Sequence, residues 1–421
     1  MNFIQKHIKT PINNLISSNG LIDADYILFI LVSILITIGV VFSYSLSAYT
    51  VEIYSYNEFH FALRQGVVAI LAIFIMWIFS KLNPNFLVGY FGMSLFFIGF
   101  ILMFLMPFLP ASLVTASGGA NRWIRLPGFS LSPVEFFKVG FIYFLSWSFY
   151  RKVIDKPKTT LVSEFMLLFP YFMIFFLVVV FVAFFQKDLG QVVLLAAVMG
   201  VLIVFANRSL KLLLILVLVG LIGFIGLIIS APHRVNRFHS WWAMVQDTFL
   251  SIVPASAEKY FRVENLPEPY QVMQSLNAIH NGGFFGKGIG FGEIKMGFLS
   301  EVHTDFVLAG ITEELGYFGF ILVLIIFFAI IYRIFKIAKN VDNKIFYLFS
   351  TGIALMLIFS FLINSFGISG LIPIKGIAVP MLSYGGSSLL ATSFAIGLVL
   401  SISRCAKKES LESKTKEESF E

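Results

Sequence analysis

The chain has 421 residues, of which 58% are hydrophobic and 13% charged, and its formal net charge is +7. Its mean hydropathy of +0.90 is far above that of a soluble domain of this length, so the composition excludes a soluble globular protein. A helix that crosses a bilayer needs about 20 apolar residues, because lipid offers its backbone no hydrogen-bond partners. The composition therefore predicts an integral membrane protein.

Ten apolar runs are long enough to be membrane-spanning helices. We predict an all-α integral membrane protein with spans at 25–48, 61–80, 86–109, 132–150, 163–185, 189–206, 210–230, 306–332, 345–366 and 384–403. The first run is too long for the apolar core of a secretory signal peptide and lacks a cleavage site, so we interpret it as a span. The predicted organisation is a cytoplasmic segment 1–24, a ten-helix domain 25–403 with a long outer loop 231–305, and a disordered cytoplasmic tail 404–421.

Lysine and arginine residues collect in alternate connections, which predicts the orientation of the chain in the membrane. They follow the second, fourth, sixth and eighth predicted spans, at Lys81, Arg151, Lys152, Lys156, Lys158, Arg208, Lys211, Arg333, Lys336, Lys339 and Lys344. Both termini are then cytoplasmic. Since these clusters largely explain the net charge of +7, the charge does not indicate a nucleic-acid partner, and none is predicted. The single cysteine, Cys405, cannot form an intrachain disulfide.

Ionisable side chains at a membrane boundary are costly, which makes them candidates for function. Glu135 and Lys138 are three residues apart at the start of the fourth span, and Arg122 precedes them in the outer loop. One interpretation is a structural ion pair that lowers the cost of burying Glu135 and Lys138. The other is that Arg122 and Lys138 hold an anion at the outer edge of the membrane, while Glu135 orients one of them.

Two further outer segments have simpler interpretations. Asp188 lies in a polar turn between two spans and is typical of a helix cap. Val272, Leu276 and Ile279, at spacings of four and three, predict an amphipathic helix on the bilayer surface. The glycine-rich segment 282–290 resembles a phosphate-binding loop only loosely, because it lacks the flanking strand and helix, so we predict no nucleotide site there.

The densest group of ionisable residues lies at the start of the eighth span. Glu301, His303, Asp305, Glu313 and Glu314 all occur there, and a helix cap would explain only one of them. If the segment is helical from about residue 304, Asp305 lies near the membrane boundary and the two later glutamates lie deeper. Those two then fit a structural acid paired with a cation better than a catalytic group.

Several motifs, taken in order along the chain, resemble the shape, elongation, division and sporulation (SEDS) family. They are Gly-Ala-Asn-Arg-Trp-Ile at 119–124, Ser-Pro-Val-Glu-Phe-Phe-Lys at 132–138, Gln-Lys-Asp-Leu-Gly at 186–190, Tyr-Gln with Gln-Ser at 270–275, His-Thr-Asp-Phe at 303–306, Glu-Glu-Leu-Gly at 313–316 and Ser-Tyr-Gly-Gly-Ser-Ser at 383–388. The resemblance covers nearly the whole chain. The segment Pro373-Ile374-Lys375-Gly376 looks more like the division branch (FtsW) than the elongation branch (RodA).

Two features depart from the family pattern. Lys187 stands where the family usually has proline in the Gln-Pro-Asp-Leu-Gly turn, and the outer loop before Tyr270 is long. Trp241 and Trp242 in this loop look like anchors at the membrane interface. Neither departure affects the residues to which the resemblance assigns chemistry.

The resemblance implies a peptidoglycan glycosyltransferase that polymerises lipid II, an undecaprenyl-diphosphate-linked disaccharide peptide, into glycan strands during septal cell-wall synthesis and cell division. Asp305 matches the essential aspartate of the family and is the candidate catalytic base. The candidate substrate- or diphosphate-binding residues are Arg122, Lys138, Glu135, Lys375, His303 and Gln274. The candidate structural residues are Asp188, Glu313, Glu314, Ser383, Gly385 and Gly386, of which the Ser383–Ser388 motif is expected to permit close helix packing. No cofactor is required by the sequence, and a divalent cation (Mg²⁺ or Mn²⁺) bridging Asp305 and the diphosphate is left open.

Other functions remain open at the level of the sequence. They are a lipid II flippase, an elongation polymerase of the RodA type, and a division scaffold that activates a class B penicillin-binding protein. The absence of a convincing internal repeat disfavours a transporter.

The expected partners are lipid II, a class B penicillin-binding protein transpeptidase, other division-complex proteins and the membrane. The expected location is the bacterial inner membrane at the division septum, with the active face periplasmic.

Overall fold

The computed structural model describes residues 24–418, except 111, 118–119, 127–128, 155, 157–159, 252–253, 255–257, 259–260, 264–268 and 375. Within these residues the helices are α1 Tyr26–Ser45, α2 Ala48–Ile53, α3 His60–Lys81, α4 Pro84–Leu105, α5 Pro133–Lys152, α6 Leu161–Val179, α7 Leu189–Phe205, α8 Leu210–Ile229, α9 Pro232–Leu250, α10 Tyr270–Gly282, α11 Val307–Lys339, α12 Lys344–Ile368 and α13 Gly386–Glu418. A 3₁₀ turn Met106–Phe108 follows α4, and α6 continues as a π-helix Val180–Phe185.

The predicted class, an all-α multi-pass membrane protein, is confirmed. In the part of the chain that is described, eight helices are long and apolar enough to cross a membrane, namely α1, α3, α4, α6, α8, α11, α12 and α13. The other two predicted spans are also helices. α7 is apolar but has 17 residues, and α5 carries charges at both ends. The count of ten spans therefore stays a prediction.

A small sheet lies between α4 and α5, where the sequence predicted only a loop. Strand β1 Val114–Ser117 pairs antiparallel with β2 Ala120–Leu126, and β2 pairs antiparallel with β3 Phe129–Leu131. Val114 and Ile124 are buried against the end of α4, so the sheet has a small apolar core of its own. The sheet fixes the position of Arg122, which lies on β2.

The centre of the bundle is formed by α12 and α13, whose apolar parts are mostly buried. Glycines let α4 and α5 approach closely, since a Cβ at Gly140 would lie 2.1 Å from the backbone nitrogen of Phe96. At the periphery, α8 has a single buried residue, Leu212. A helix this apolar and this exposed is suited to contact with lipid.

The ends predicted to be cytoplasmic meet at one end of the bundle. Arg333 at the end of α11 forms an ion pair with Asp25, which caps the start of α1. The backbone N–H of Asp25 donates to Ser403 Oγ at 2.9 Å, and Arg404 donates to the carbonyl of Lys81 at 2.7 Å. Four helices, α1, α3, α11 and α13, are thus tied together at this end.

α11 is broken at Gly316, where φ is +69° and ψ −174°. Backbone N–H groups at 287–288 donate to the carbonyls at 313–314, and those at 317–318 donate to the carbonyls at 283–284, over 2.8–3.1 Å. The glycine-rich segment therefore replaces the helical hydrogen bonds that the break removes. A Cβ at Gly316 would lie 2.3 Å from the carbonyl oxygen of Phe284, which explains the glycine.

Two sequence predictions differ from the structure. α10 does not present its whole apolar face to the bilayer, because Val272 is buried and Ser275 Oγ donates to the carbonyl of Ile368 at 3.0 Å. Only the remaining face, with Leu276, is exposed. The last helix continues to Glu418, past residue 404, where the predicted tail begins.

Candidate active site

Asp305 lies in the turn that precedes α11 and is half-buried. Asn364 on α12 fixes this turn, since its Nδ2 donates to the carbonyl of Asp305 at 2.7 Å and to that of Ile377 at 2.8 Å. A Cβ at Gly376 would lie 2.9 Å from Asp305 Oδ2, so the absence of a side chain there leaves room for the carboxylate. Asp305 lines a small cleft between α12 and the 374–377 segment.

The residues around Asp305 are held by the segment before α13. The N–H of Tyr384 donates to the carbonyl of His303 at 2.8 Å, and Ser383 Oγ donates to the carbonyl of Thr304 at 2.6 Å. The ring of His303 packs against Phe61 and Tyr384, with centroids 4.9 Å and 5.5 Å apart. This geometry gives His303 and Ser383 the role of shaping the loop that carries Asp305.

The glycines of the same motif are less crowded than the sequence suggested. A Cβ at Gly385 would meet only Ser388, at 3.8 Å, and one at Gly386 would lie 3.5 Å from Val68. The motif thus acts mainly through hydrogen bonds: Ser387 Oγ donates to the carbonyl of Ser130 at 2.8 Å and accepts from the N–H of Ser132 at 2.9 Å. These bonds tie α13 to the sheet and to the start of α5.

The electrostatic surroundings of Asp305 favour a carboxyl group that can exchange a proton near neutral pH. Burial raises the pKa of Asp305 to about 6, and the negative charges of Glu301 and Asp188 add to this effect. The positive charges of Arg122 and Arg237 act in the opposite direction. Two acids and two arginines from three different outer segments are therefore close enough to influence one carboxylate, which is typical of a functional site.

Glu135 and Lys138 form an ion pair, with Lys138 Nζ 2.8 Å from Glu135 Oε2. The other oxygen of Glu135 accepts from Gln191 Nε2 at 2.9 Å, so the pair is anchored to α7. Both residues line a second small cleft, which Ser360, Ser388 and Thr392 also line. Ile377 lines both clefts, so the cleft of the ion pair and the cleft of Asp305 are neighbours on either side of this residue.

Arg122 is largely committed to protein partners. Its Nε donates to the carbonyl of Gln186 at 3.2 Å, its Nη2 donates to that of Lys187 at 2.8 Å, and Nε lies 3.6 Å from Asp188 Oδ2. Asp188 also caps α7 through the N–H of Gln191. Burial raises the pKa of Asp188, and the charge of Arg122 opposes that shift.

Lys187 has φ +52°, which a proline cannot adopt, so this turn must differ from the usual family turn.

Glu313 and Glu314 are buried away from the Asp305 cleft and serve different partners. Glu314 pairs with Lys295 at 2.6 Å and accepts from Ser45 Oγ on α1 at 2.6 Å. Glu313 Oε1 accepts from Asn281 Nδ2 and from the backbone N–H groups at 293–294, over 2.8–3.0 Å. Together they fasten the segment 281–295 onto α11.

The structure does not bring every candidate to Asp305. Gln274 accepts from Asn277 Nδ2 at 3.3 Å on α10, and it does not line either of the two clefts. Lys375 lies outside the described residues, although its neighbours Ile374 and Gly376 line the Asp305 cleft.

A metal ion bound by protein side chains alone does not fit the region that is described. No group of three or more His, Cys, Asp or Glu residues that could hold a metal occurs among the described residues. Mg²⁺ is often held by one or two carboxylates together with substrate phosphates. Asp305 could therefore bind a cation only together with the phosphate groups of a substrate.

Three residues of this region were not singled out from the sequence: Asn364, Arg237 and Lys295. Asn364 is a polar residue inside a predicted span, which is a signal that could have been used. Arg237 and Lys295 lie in the long outer segment among other polar residues, and only the fold shows that they approach Asp305 and Glu314.

The helical bundle and the outer-loop carboxylate define a polytopic membrane protein with a polar site at one end. The chain belongs to the FtsW/RodA/SpoVE family of cell cycle proteins, whose model matches residues 25–408. It is 46% identical over 381 residues to the "Probable peptidoglycan glycosyltransferase FtsW" of Helicobacter pylori strain 26695, covering 90% of this chain and 98% of the relative. It is 30% identical over 385 residues to the stage V sporulation protein E of Bacillus subtilis, covering 91% and 98%.

Solved structures share the fold at lower identity. The rod shape determining protein RodA of Thermus thermophilus aligns with a TM-score of 0.59 and 21% identity, over 91% of this chain and 98% of that chain. A chain of a peptidoglycan synthase complex aligns with a TM-score of 0.64 and 22% identity, over 91% and 98%. These likenesses establish the fold.

Proposed function

We propose that this chain is a peptidoglycan glycosyltransferase that polymerises lipid II during septal cell-wall synthesis. The relatives named for this activity are similar over nearly their full length. The observation that carries the proposal is the position of Asp305, whose carboxyl has a pKa of about 6 and lies within the influence of two arginines. A base and a cationic surrounding are the two elements that transfer of a sugar from a diphosphate requires.

In the proposed reaction, Asp305 accepts the proton of the acceptor sugar hydroxyl as its oxygen attacks the anomeric carbon of the donor. The bond from that carbon to the diphosphate oxygen breaks, and the polyprenyl diphosphate leaves with one additional negative charge, which cations stabilise. Lys138, in the adjoining cleft, is one such cation, and Glu135 keeps it in place at 2.8 Å. A divalent cation, if bound by substrate and Asp305, would add charge stabilisation there.

The location and partners of the enzyme follow from the same proposal. The site then opens on the periplasmic side of the inner membrane, both termini are cytoplasmic, and the protein acts at the division septum. A class B penicillin-binding protein would crosslink the new strands, and other division proteins would regulate the pair. The relative solved as part of a peptidoglycan synthase complex supports an assembly of this kind.

The main rival is transport of lipid II across the membrane, which the broken helix α11 would favour. In transporters the free ends of such helices bind ions or substrate. Here the carbonyls at 313–314 and the N–H groups at 317–318 are occupied by the backbone at 283–288, which disfavours that role.

The experiment that tests the proposal supplies lipid II to the purified full chain, with and without a class B partner, in detergent and in liposomes. We expect glycan polymer in detergent as well as in liposomes, because polymerisation does not need two membrane faces. Movement of lipid II between leaflets without polymer would contradict the proposal and support a flippase. A scaffold would be supported if the chain neither polymerised nor moved lipid II, and if the class B partner were active only when the chain was present.

A further inference from the structure

α9 is fixed to the bundle by two side chains that lie on one face. Arg234 donates from Nη1 to the carbonyl of Leu227 at 2.7 Å and from Nη2 to the carbonyl of Ala183 in the π-helix. Trp241 Nε1 donates to the carbonyl of Gly370 at 2.8 Å. Arg237 is three residues after the first anchor and four before the second, so it shares their face. Arg237 is therefore held at the side of α9 that meets the bundle.

The second anchor places α9 against the connection that carries part of the Asp305 cleft. A Cβ at Gly370 would lie 2.2 Å from Met244 Cε of α9 and 3.3 Å from Val272 of α10, which shows how closely these elements meet. A few residues further on, Ile374 and Gly376 line the cleft. The helix and the cleft are thus parts of one packed unit.

Arg237 has no protein partner of its own in the part of the chain that the structure describes. Its side chain is exposed and forms no hydrogen bond or ion pair with the described residues, although its charge lowers the pKa of Asp305. Arg122, the other arginine near Asp305, already donates to the carbonyls of Gln186 and Lys187. Of the two arginines whose charges act on Asp305, Arg237 is consequently the one whose guanidinium is available to a ligand.

We propose that Arg237 binds the diphosphate of a polyprenyl-linked substrate next to Asp305. The proposal rests on the function proposed above and specifies which arginine contacts the substrate. A guanidinium presents paired N–H donors that match phosphate oxygens, and an unpaired one loses no protein contact on binding. Phosphate groups of bulk anionic lipids offer the same chemistry, so the experiment must separate the two sources.

The first test measures binding of undecaprenyl diphosphate to the full chain in a nonionic detergent without phospholipid. Arg237→Ala is expected to raise the Kd at least about tenfold, and Arg237→Lys to retain part of the affinity. Arg262→Ala is the matched control, since Arg262 is an exposed arginine of the same outer loop that pairs with Glu258. Wild-type affinity in Arg237→Ala, or an equal loss in the control, would overturn the proposal. Binding is measured without turnover, so its result is independent of whether the chain polymerises lipid II.

The second test distinguishes the substrate from membrane lipid and from a structural effect. In polymerisation assays, Arg237→Ala should raise the KM for lipid II more than it lowers kcat, in detergent and in phosphatidylglycerol liposomes alike. An effect confined to phosphatidylglycerol liposomes would assign Arg237 to lipid headgroups and overturn the proposal. Because the side chain is exposed, the thermal midpoint should not change, and a lowered midpoint that accounts for the lost binding would also overturn it.

Discussion

Asp305→Asn is expected to reduce the initial rate of lipid II polymerisation about 10²- to 10⁴-fold, the usual contribution of a general base. Asparagine preserves the size of the side chain and the backbone bond from Asn364 to the carbonyl at this position, but it cannot accept the sugar proton. The thermal midpoint should therefore stay close to that of the wild type. The measurement is the rate of polymer formation at pH 8 with saturating lipid II.

Glu301→Gln is the matched control for this substitution. Glu301 is an exposed carboxylate four residues earlier in the same turn, where it accepts from Thr304 Oγ1 at 2.9 Å and does not line the Asp305 cleft. At pH 8 the control should polymerise lipid II at nearly the wild-type rate. More than a tenth of the wild-type rate in Asp305→Asn, or a similar loss in both variants, would remove Asp305 from the role of base.

The second large effect concerns stability. Lys295→Met should destabilise the protein by about 3–5 kcal/mol, because it leaves the carboxylate of Glu314 buried without its cation. Both partners of this ion pair are almost completely buried, at 2% and 0% exposure. The remaining bond from Ser45 does not replace a charge. Thermal unfolding of the purified protein in detergent measures the effect.

Lys287→Met provides the control for loss of a lysine in the same segment. The side chain of Lys287 is exposed, so its replacement should change stability by less than about 0.5 kcal/mol. The double variant Lys295→Met with Glu314→Gln should recover part of the loss, since no unpaired buried charge remains. A Lys295→Met protein as stable as the wild type would show that the pair does not hold the 281–295 segment on α11.

The helices were accessible to sequence analysis because lipid imposes one requirement on each span. Continuous apolar runs had to form helices, and the predicted span 210–230 corresponds to α8 at Leu210–Ile229. The same reasoning failed where protein supplies the missing hydrogen bonds. The backbone groups left unpaired by the break at Gly316 form hydrogen bonds with a segment some 30 residues earlier. Apolar periodicity carries no information about this contact.

The outer elements were harder to predict, since their strands are short and their apolar content is low. The sheet at 114–131 contains strands of 3 to 7 residues, and its small core depends on the end of α4. Similarly, α10 has an amphipathic pattern that fits a bilayer surface and a protein surface equally well. Packing of Val272 against the bundle decides between them.

For the site, the family resemblance identified Asp305, and the fold identified its neighbours. The i,i+3 spacing of Glu135 and Lys138 indicated an ion pair as one of two interpretations, and the structure contains that pair. In contrast, Asn364 is 59 residues from Asp305 in sequence, and Arg237 is brought near only because Arg234 and Trp241 anchor α9. The roles of these residues in catalysis remain proposals.

The dependence of the polymerisation rate on pH tests the role of Asp305 most directly. A base must be deprotonated to act, and burial with nearby negative charge raises the pKa of Asp305 to about 6. The rate should therefore be constant above pH 7 and fall about tenfold per pH unit below pH 6. In Glu301→Gln the acid limb should move to lower pH, because a charge that raises the pKa of Asp305 has been removed. A rate that is independent of pH between 5 and 8, or an acid limb unchanged in Glu301→Gln, would contradict the account.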